Sequence, residues 1–284
     1  MSVLAAAKTF LLANARLLER RRFAALFDQG SREQVLSVLK VYQNEDGGFG
    51  NALEPDKRTS SSQPIDQEIA LRILDEVGFD NNLVQNICNF LITITTSEGG
   101  VPFTLKTVQD APRAPWWNTD DASPAASLNP TASIAGLLHK HRFMHPWLDK
   151  ATTFCWKKLE TPGELEVHTL LSVILFLEYA PNRPRAETAF ENIREQILAA
   201  TALEPGAEGY VHPPHAFAPT PKSLARRLYA AELIEKHLDD LKSKQEEDGG
   251  WPIAWPPVSP GCELEYRGVV TLNALKTLKA YGKL

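Results

Sequence analysis

The sequence predicts an all-α fold built from helical hairpins. Apolar residues recur at helical spacing, as Ile65, Ile69 and Ile73 do in one run. No segment shows the period-two alternation that is typical of a strand, and a glycine-rich motif returns after several helical runs. The chain has 284 residues, of which 43% are hydrophobic. This is enough for one sizeable core, so we expect a single domain over residues 1–284.

The glycine-rich motif is clearest in two copies that lie 202 residues apart. The first copy comprises Leu39, Gln43, Asp46, Gly47, Gly48 and Phe49, and the second comprises Leu241, Gln245, Asp248, Gly249, Gly250 and Trp251. Weaker copies are present at 98–100 and 208–210. A spacing of roughly 50 residues is the size of one helical hairpin. The sequence therefore predicts an array of five to six hairpins.

The predicted helices are of two kinds. The segment 169–177 is apolar on every face, whereas 184–200 is apolar on one face only. This contrast predicts an inner and an outer layer, and we also expect an amphipathic helix in 1–22. Inner helices are predicted near 65–78, 129–140, 165–180 and 263–281, and outer helices near 31–44, 82–96, 145–159, 184–200 and 230–245.

Loop lengths indicate where function is located. Connections from inner to outer helices are short, whereas the reverse connections are mostly long. The long loops are 45–64, 97–128, 201–221 and 246–262. In an alternating barrel these loops all emerge at one end, and long loops in a compact domain are usually functional or disordered. We therefore look for the functional site at this end.

The motif Leu-x-x-x-Gln-x-x-Asp-Gly-Gly-Phe/Trp resembles the repeat of squalene and oxidosqualene cyclases and of protein prenyltransferase β subunits. The resemblance implies an α/α toroid, a barrel of five to six helical hairpins with inner and outer layers. It also implies that Gln43, Phe49, Gln245 and Trp251 tie neighbouring hairpins together. The implied function is a terpenoid-cyclase-like enzyme that acts on an isoprenoid or other apolar substrate. Its acid/base, carbocation-type chemistry would take place in a central aromatic-lined cavity.

The chain departs from these families in its acid motif. Class II cyclases carry Asp-x-Asp-Asp-Thr-Ala, and the segment ending in Thr131 and Ala132 looks similar. However, Ser127, Asn129 and Pro130 stand where the carboxylates would be. An asparagine cannot donate a proton at a useful pKa. The acid of this protein must therefore lie elsewhere.

The metal motifs of these families are also incomplete. Neither Asp120-Asp121 nor Asp239-Asp240 extends to the magnesium motif Asp-Asp-x-x-Asp. Cys262 lacks the aspartate two residues earlier that prenyltransferases use for zinc. We predict no cofactor and no metal, with magnesium and zinc both weakly supported.

Titratable residues at the loop-bearing end are the candidates for catalysis. These are Glu54, Asp56, Asp120, Asp121, Glu166 and His168. A carboxyl group that is desolvated there has a raised pKa and can act as a general acid or base. The competing interpretation is that these side chains form solvated ion pairs, turns and helix caps.

Aromatic and polar residues at the same end are the candidates for substrate binding. These are Trp116, Trp117, Tyr210, His212, Trp251, Trp255 and Arg267. Aromatic rings could stabilise a carbocation, stack on a sugar or plug the end of the barrel. Two alternatives therefore stay open. One is a carbohydrate-active α/α-barrel enzyme that pairs Asp120 with Glu54 or Glu166, and the other is a non-catalytic toroid that binds a ligand or protein partner.

Composition limits the partners. The formal net charge is −5 and no stretch alternates Lys or Arg with aromatic residues, so we expect no nucleic-acid partner. The most apolar segment, 169–180, is shorter than the roughly 20 residues that span a bilayer. The three cysteines have no Cys-x-x-Cys spacing, which is typical of a reducing compartment. We therefore expect a cytoplasmic protein that binds a small apolar molecule, with its oligomeric state open.

Overall fold

The computed structural model describes residues 2–284, and the regular secondary structure in that range is helical, with only isolated β-bridges between loops. The α-helices are α1 (Val3–Asn14), α2 (Leu17–Phe27), α3 (Arg32–Leu39), α4 (Pro64–Val77), α5 (Asn81–Ile94), α6 (Leu128–Lys140), α7 (Pro146–Glu160), α8 (Val167–Tyr179), α9 (Arg183–Ala199), α10 (Pro214–Phe217), α11 (Ala231–Ser243) and α12 (Pro260–Ala280). Short 3-10 helices cover Lys40–Tyr42, Lys106–Asp110, Pro115–Trp117 and Leu224–Leu228. The predicted all-α class is confirmed.

Each predicted helix coincides with one observed helix, with its ends shifted by a few residues. The prediction of one amphipathic helix in 1–22 is wrong, because this segment contains α1 and the start of α2. The helix is interrupted at Ala15 and Arg16, whose backbones are extended with ψ of 159°. The Arg16 guanidinium donates hydrogen bonds to the carbonyl oxygens of Ala52 and Leu53. The break thus lets Arg16 hold the first long loop.

The two kinds of helix differ in burial as predicted. In α6 every residue from 128 to 138 is buried, and α6 packs between α4 and α8. Helix α2 in turn contacts both α4 and α12. In α9, by contrast, only a stripe that includes Phe190, Ile193 and Ile197 is buried. Helices α12, α2, α4, α6 and α8 therefore form one series of contacting neighbours, whereas their arrangement as an inner layer stays a prediction.

The glycine turns pack each hairpin against the next outer helix. A Cβ atom placed on Gly48 would lie 2.7 Å from the ring of Phe90 in α5, and Gly100 meets α7 in the same way. Gly250 packs against Phe10, which belongs to α1. The last repeat is thus seated on the first helix of the chain. The finer prediction, a toroid around a central hollow, stays a prediction.

The repeat glutamines make the hydrogen bonds that tie these turns. Gln43 Nε2 donates to the carbonyl oxygen of Gly47 at 2.9 Å. Gln245 Nε2 donates at 2.9 Å to the carbonyl oxygens of both Gly249 and Val3. The second glutamine therefore connects the C-terminal repeat to the start of α1.

The hydrophobic core has one large cluster and two smaller ones. The large cluster draws on helices α2 to α11, and a second cluster joins α1, α12 and Trp251. The third consists of Val108, Ala114 and Trp117, beneath the loop 97–127. Within residues 2–284, no helix has both the length and the apolarity that a bilayer crossing requires.

Candidate functional site

Three of the long loops meet at one place. The backbone of the first loop bonds to that of the second, where Arg58 N donates to Pro112 O at 3.0 Å and Ala114 N donates to Asp56 O at 2.9 Å. The start of α12, which follows the fourth long loop, reaches the first loop through Cys262 Sγ and Pro55 O at 3.3 Å. The loops 45–63, 97–127 and 246–259 therefore enclose a common region.

Five side chains converge there: Glu54, Asp56, Trp117, Trp255 and Tyr266. We call this group the acid site. Four of these residues were predicted from sequence, Glu54 and Asp56 as catalytic candidates and the two tryptophans as substrate-binding candidates.

Glu54 is the most perturbed member of the acid site. Its side chain is buried, and this burial raises its pKa well above the usual range, with a further rise from the neighbouring Asp56 carboxylate. Lys57 and the Tyr266 hydroxyl oppose the rise. Glu54 Oε1 has no hydrogen-bond partner of normal geometry among residues 2–284. Glu54 is thus a buried carboxyl group with a raised pKa and one oxygen that has no hydrogen-bond partner.

Asp56 is held next to Glu54 by an indole. Its side chain is 2% exposed, and its Oδ1 accepts a hydrogen bond of 2.6 Å from Trp117 Nε1. Trp117 is itself fixed by stacking on Phe103, with ring centroids 5.0 Å apart. The indole N–H of Trp117 is therefore committed to orienting Asp56.

A buried ion pair supports the first loop beneath these carboxyl groups. Lys57 Nζ pairs with Asp66 Oδ2, and both side chains are fully buried. Asp66 Oδ1 also accepts a hydrogen bond of 3.0 Å from the backbone N–H of Glu54. Burial raises the pKa of Asp66 and the Lys57 charge opposes that rise. Asp66, in the first turn of α4, thus positions Glu54.

Tyr266 and Trp255 complete the acid site. Burial, followed by the charges of Glu54 and Asp56, raises the pKa of Tyr266 well above its usual range. The ring of Trp255 meets that of Tyr266 edge-on, with centroids 4.8 Å apart. Trp255 Nε1 is buried and also lacks a protein partner within 2–284. Tyr266 was not predicted from sequence, although the adjacent Arg267 was a substrate-binding candidate.

The other predicted acids lie outside the acid site and make local hydrogen bonds. Asp120 accepts from Gln109 Nε2 at 2.7 Å, and Asp121 accepts from the backbone N–H of Ser123 at 2.8 Å. Both are exposed. Glu166 caps α8, where its Oε1 accepts from the backbone N–H of Thr169 at 3.1 Å. These contacts correspond to the turn and cap roles that competed with catalysis in the sequence interpretation.

His168 belongs to a second aromatic group with Tyr210 and His212. Its ring centroid lies 6.1 Å from that of Tyr210 and 5.4 Å from that of His212. Tyr210 is 67% exposed. Burial and the neighbouring His168 lower the pKa of His212. This group lies at the start of α8, where the loop after α9 returns.

The remaining predicted binding residues differ in their surroundings. Trp116 is 46% exposed, next to the buried Trp117. Trp251 is buried in the cluster with α1 and α12, and its Nε1 donates to Leu241 O at 2.7 Å. Arg267 binds Asp248 at 2.8 Å and stacks over the ring of Phe10. These contacts favour structural roles for Trp251 and Arg267.

A surface cleft of about 540 Å³ lies between the ends of α5 and α7. Its lining includes Ile92, Glu98, Asp149 and Lys150. None of the predicted site residues lines it. The predicted central aromatic-lined cavity stays a prediction.

Within residues 2–284, no group of three or more His, Cys, Asp or Glu side chains is arranged to hold a metal ion. Compared with known proteins, the chain matches no protein-family model and no curated protein sequence.

Proposed function

We propose that this protein is a terpenoid-cyclase-like enzyme that uses Glu54 as a general acid on an isoprenoid or other apolar substrate. The observation that carries the proposal is the state of Glu54, a buried carboxyl group with a raised pKa whose Oε1 has no hydrogen-bond partner of normal geometry among residues 2–284. Perturbed carboxyl groups of this kind concentrate at functional sites. The repeat resemblance supports an isoprenoid as the substrate class.

The proposed reaction begins with proton transfer from Glu54 to the substrate. Glu54 becomes a carboxylate, and the substrate becomes a cation. The ring of Tyr266 lies beside Glu54, and aromatic faces stabilise positive charge. Glu54 then takes back a proton as the product cation loses one, which restores the acid. Asp56, oriented by Trp117 Nε1, helps to keep the proton on Glu54 because a second negative charge beside it is unfavourable.

The carbohydrate alternative depended on Asp120 together with Glu54 or Glu166. Asp120 and Glu166 are engaged in local turn and cap hydrogen bonds. No observation favours this alternative over the first. A direct assay of turnover distinguishes the proposed enzyme from the non-catalytic alternative, which predicts no turnover.

The assay uses linear isoprenoids as probes: geraniol, geranylgeraniol, geranylgeranyl diphosphate and squalene, with products analysed by gas chromatography and mass spectrometry. We expect wild type to convert at least one of them. Glu54→Gln keeps the shape of the side chain but cannot supply the proton, so turnover should fall by about 10²- to 10⁴-fold, the usual contribution of a general acid. The matched control is Glu247→Gln, which changes an exposed glutamate and should leave turnover unchanged.

Two results would contradict the proposal. If Glu54→Gln converted the probe as fast as wild type does, Glu54 would not be the acid. If wild type converted none of the four probes, the proposed isoprenoid chemistry would be wrong.

A further inference from the structure

We infer that the molecule bound at the acid site presents a neutral hydroxyl or carbonyl oxygen to Glu54 and Trp255, and not a bare hydrocarbon or a diphosphate. The inference rests on the proposed function for the location of the site. It adds the chemical class of the group that the site recognises.

Two buried polar atoms, in residues that adjoin Tyr266, support this inference. Glu54 Oε1 and Trp255 Nε1 both lack a partner among the residues that the structure describes. Trp255 packs edge-on against Tyr266, and the Tyr266 hydroxyl in turn adjoins the Glu54 carboxyl group. The other indole of the site, that of Trp117, already donates its N–H to Asp56. The groups without a partner are therefore one indole donor and one carboxyl oxygen.

A ligand oxygen has the hydrogen-bonding chemistry to satisfy either group. An indole N–H only donates, whereas a protonated carboxyl group can donate or accept. A hydroxyl or carbonyl oxygen has two lone pairs, so it can accept from Trp255 or bond to Glu54. A hydrocarbon would leave both atoms buried and unpaired, at a cost of about 1–3 kcal/mol for each. The acid site therefore selects an oxygen over a bare double bond.

The charges around the acid site argue against an anionic ligand. Lys57 is paired with Asp66, and Arg58 is paired with Glu265. Phosphate groups are usually recognised by Arg or Lys side chains that are available to them. Asp56 would also repel an anion placed beside Glu54. The oxygen that the site binds should therefore be uncharged.

The test compares three probes with the same ten-carbon skeleton. Geraniol carries a hydroxyl, 2,6-dimethylocta-2,6-diene is the matching hydrocarbon, and geranyl diphosphate carries the anion. Dissociation constants are measured by calorimetry on the full-length protein. We expect geraniol to bind at least about tenfold more tightly than the hydrocarbon, which corresponds to about 1.4 kcal/mol. Geranyl diphosphate should bind no more tightly than the hydrocarbon.

Two tryptophan variants locate the preference. Trp255→Phe keeps an aromatic ring but removes the N–H, so the preference for geraniol should shrink severalfold while the hydrocarbon still binds. Trp156→Phe is the matched control, because Trp156 lies on the outer helix α7 within the large core cluster. It should leave the preference unchanged.

The binding experiment is independent of turnover. Glu54→Gln should still prefer geraniol, because an amide can also donate and accept, even though it abolishes the proposed acid. A preference for geraniol without any turnover would uphold this inference and contradict the proposed function. Equal binding of geraniol and hydrocarbon, tighter binding of the diphosphate, or no binding of any probe would overturn the inference.

Discussion

The packing of the last glycine turn on α1 can be tested by Gly249→Ala, a substitution that adds one methyl group. Gly249 has φ of +91°, and a Cβ atom there would lie 2.2 Å from the carbonyl oxygen of Ala6 in α1. Gly206 has φ of +77°, and its Cβ would have nothing within 4 Å. The two glycines share the left-handed backbone and differ in the close approach. Gly206→Ala is therefore the matched control for Gly249→Ala.

The expected magnitudes follow from these two differences. The left-handed conformation costs an L-residue about 1–2 kcal/mol, and both variants should lose this much free energy of unfolding. Gly249→Ala must also push α1 away, since the nearest atoms belong to its backbone and cannot rotate aside. Overpacking of this kind costs about 1–3 kcal/mol more. Gly249→Ala should therefore lose about 2–5 kcal/mol in total.

The assay is equilibrium urea unfolding followed by far-ultraviolet circular dichroism. A lower midpoint at an unchanged slope reports a change in stability alone. If the two variants lost the same free energy of unfolding, the turn would not rest on α1. The reasoning that joins the last repeat to the first helix would then be refuted.

Two further predictions concern buried charge. Burial lowers the pKa of His215 to about 4, whereas in the unfolded chain it is about 6.5. The contribution of His215 to stability should therefore be complete above pH 6.5 and fall by up to about 3 kcal/mol as the pH drops through this interval. The free energy of unfolding, measured from pH 7.5 to 4.5, should fall less steeply in His215→Gln than in wild type, and an identical fall would contradict the assignment. Lys57→Met should lower stability by about 3–5 kcal/mol because it leaves Asp66 buried without its partner. The control Lys8→Met removes the half-exposed pair with Asp28 and should change stability by less than about 1 kcal/mol. Equal effects of the two variants in urea unfolding would show that the Lys57 pair is not buried as described.

Part of the candidate site could be predicted from the sequence. Glu54 and Asp56 follow a glycine turn in a long loop, and this position predicts that they belong to the functional site. Asp120 and Asp121 had the same kind of signal, an acid pair in a long loop, but they are exposed turn residues. Local sequence does not distinguish these cases because desolvation depends on which other loops cover a residue.

Tyr266 illustrates a residue that local sequence could not select. It lies in α12, about two hundred residues along the chain from Glu54, and its role follows from that contact alone. Asp66 similarly carries the ordinary signal of a helix N-terminus, where acids are favoured by the helix dipole. Its buried ion pair with Lys57 depends on how the loop 45–63 packs against α4, which local sequence does not specify.

The sequence by itself determined the all-α class, the helix positions and the glycine turns between hairpins, because helical periodicity, prolines and glycines act within a few residues of one another. Only the tertiary structure decided which carboxyl group has a strongly raised pKa and which indole N–H has no hydrogen-bond partner. Those properties depend on burial and on neighbours that come from distant loops, and the packing of the last repeat on α1 depends on contacts across the whole chain.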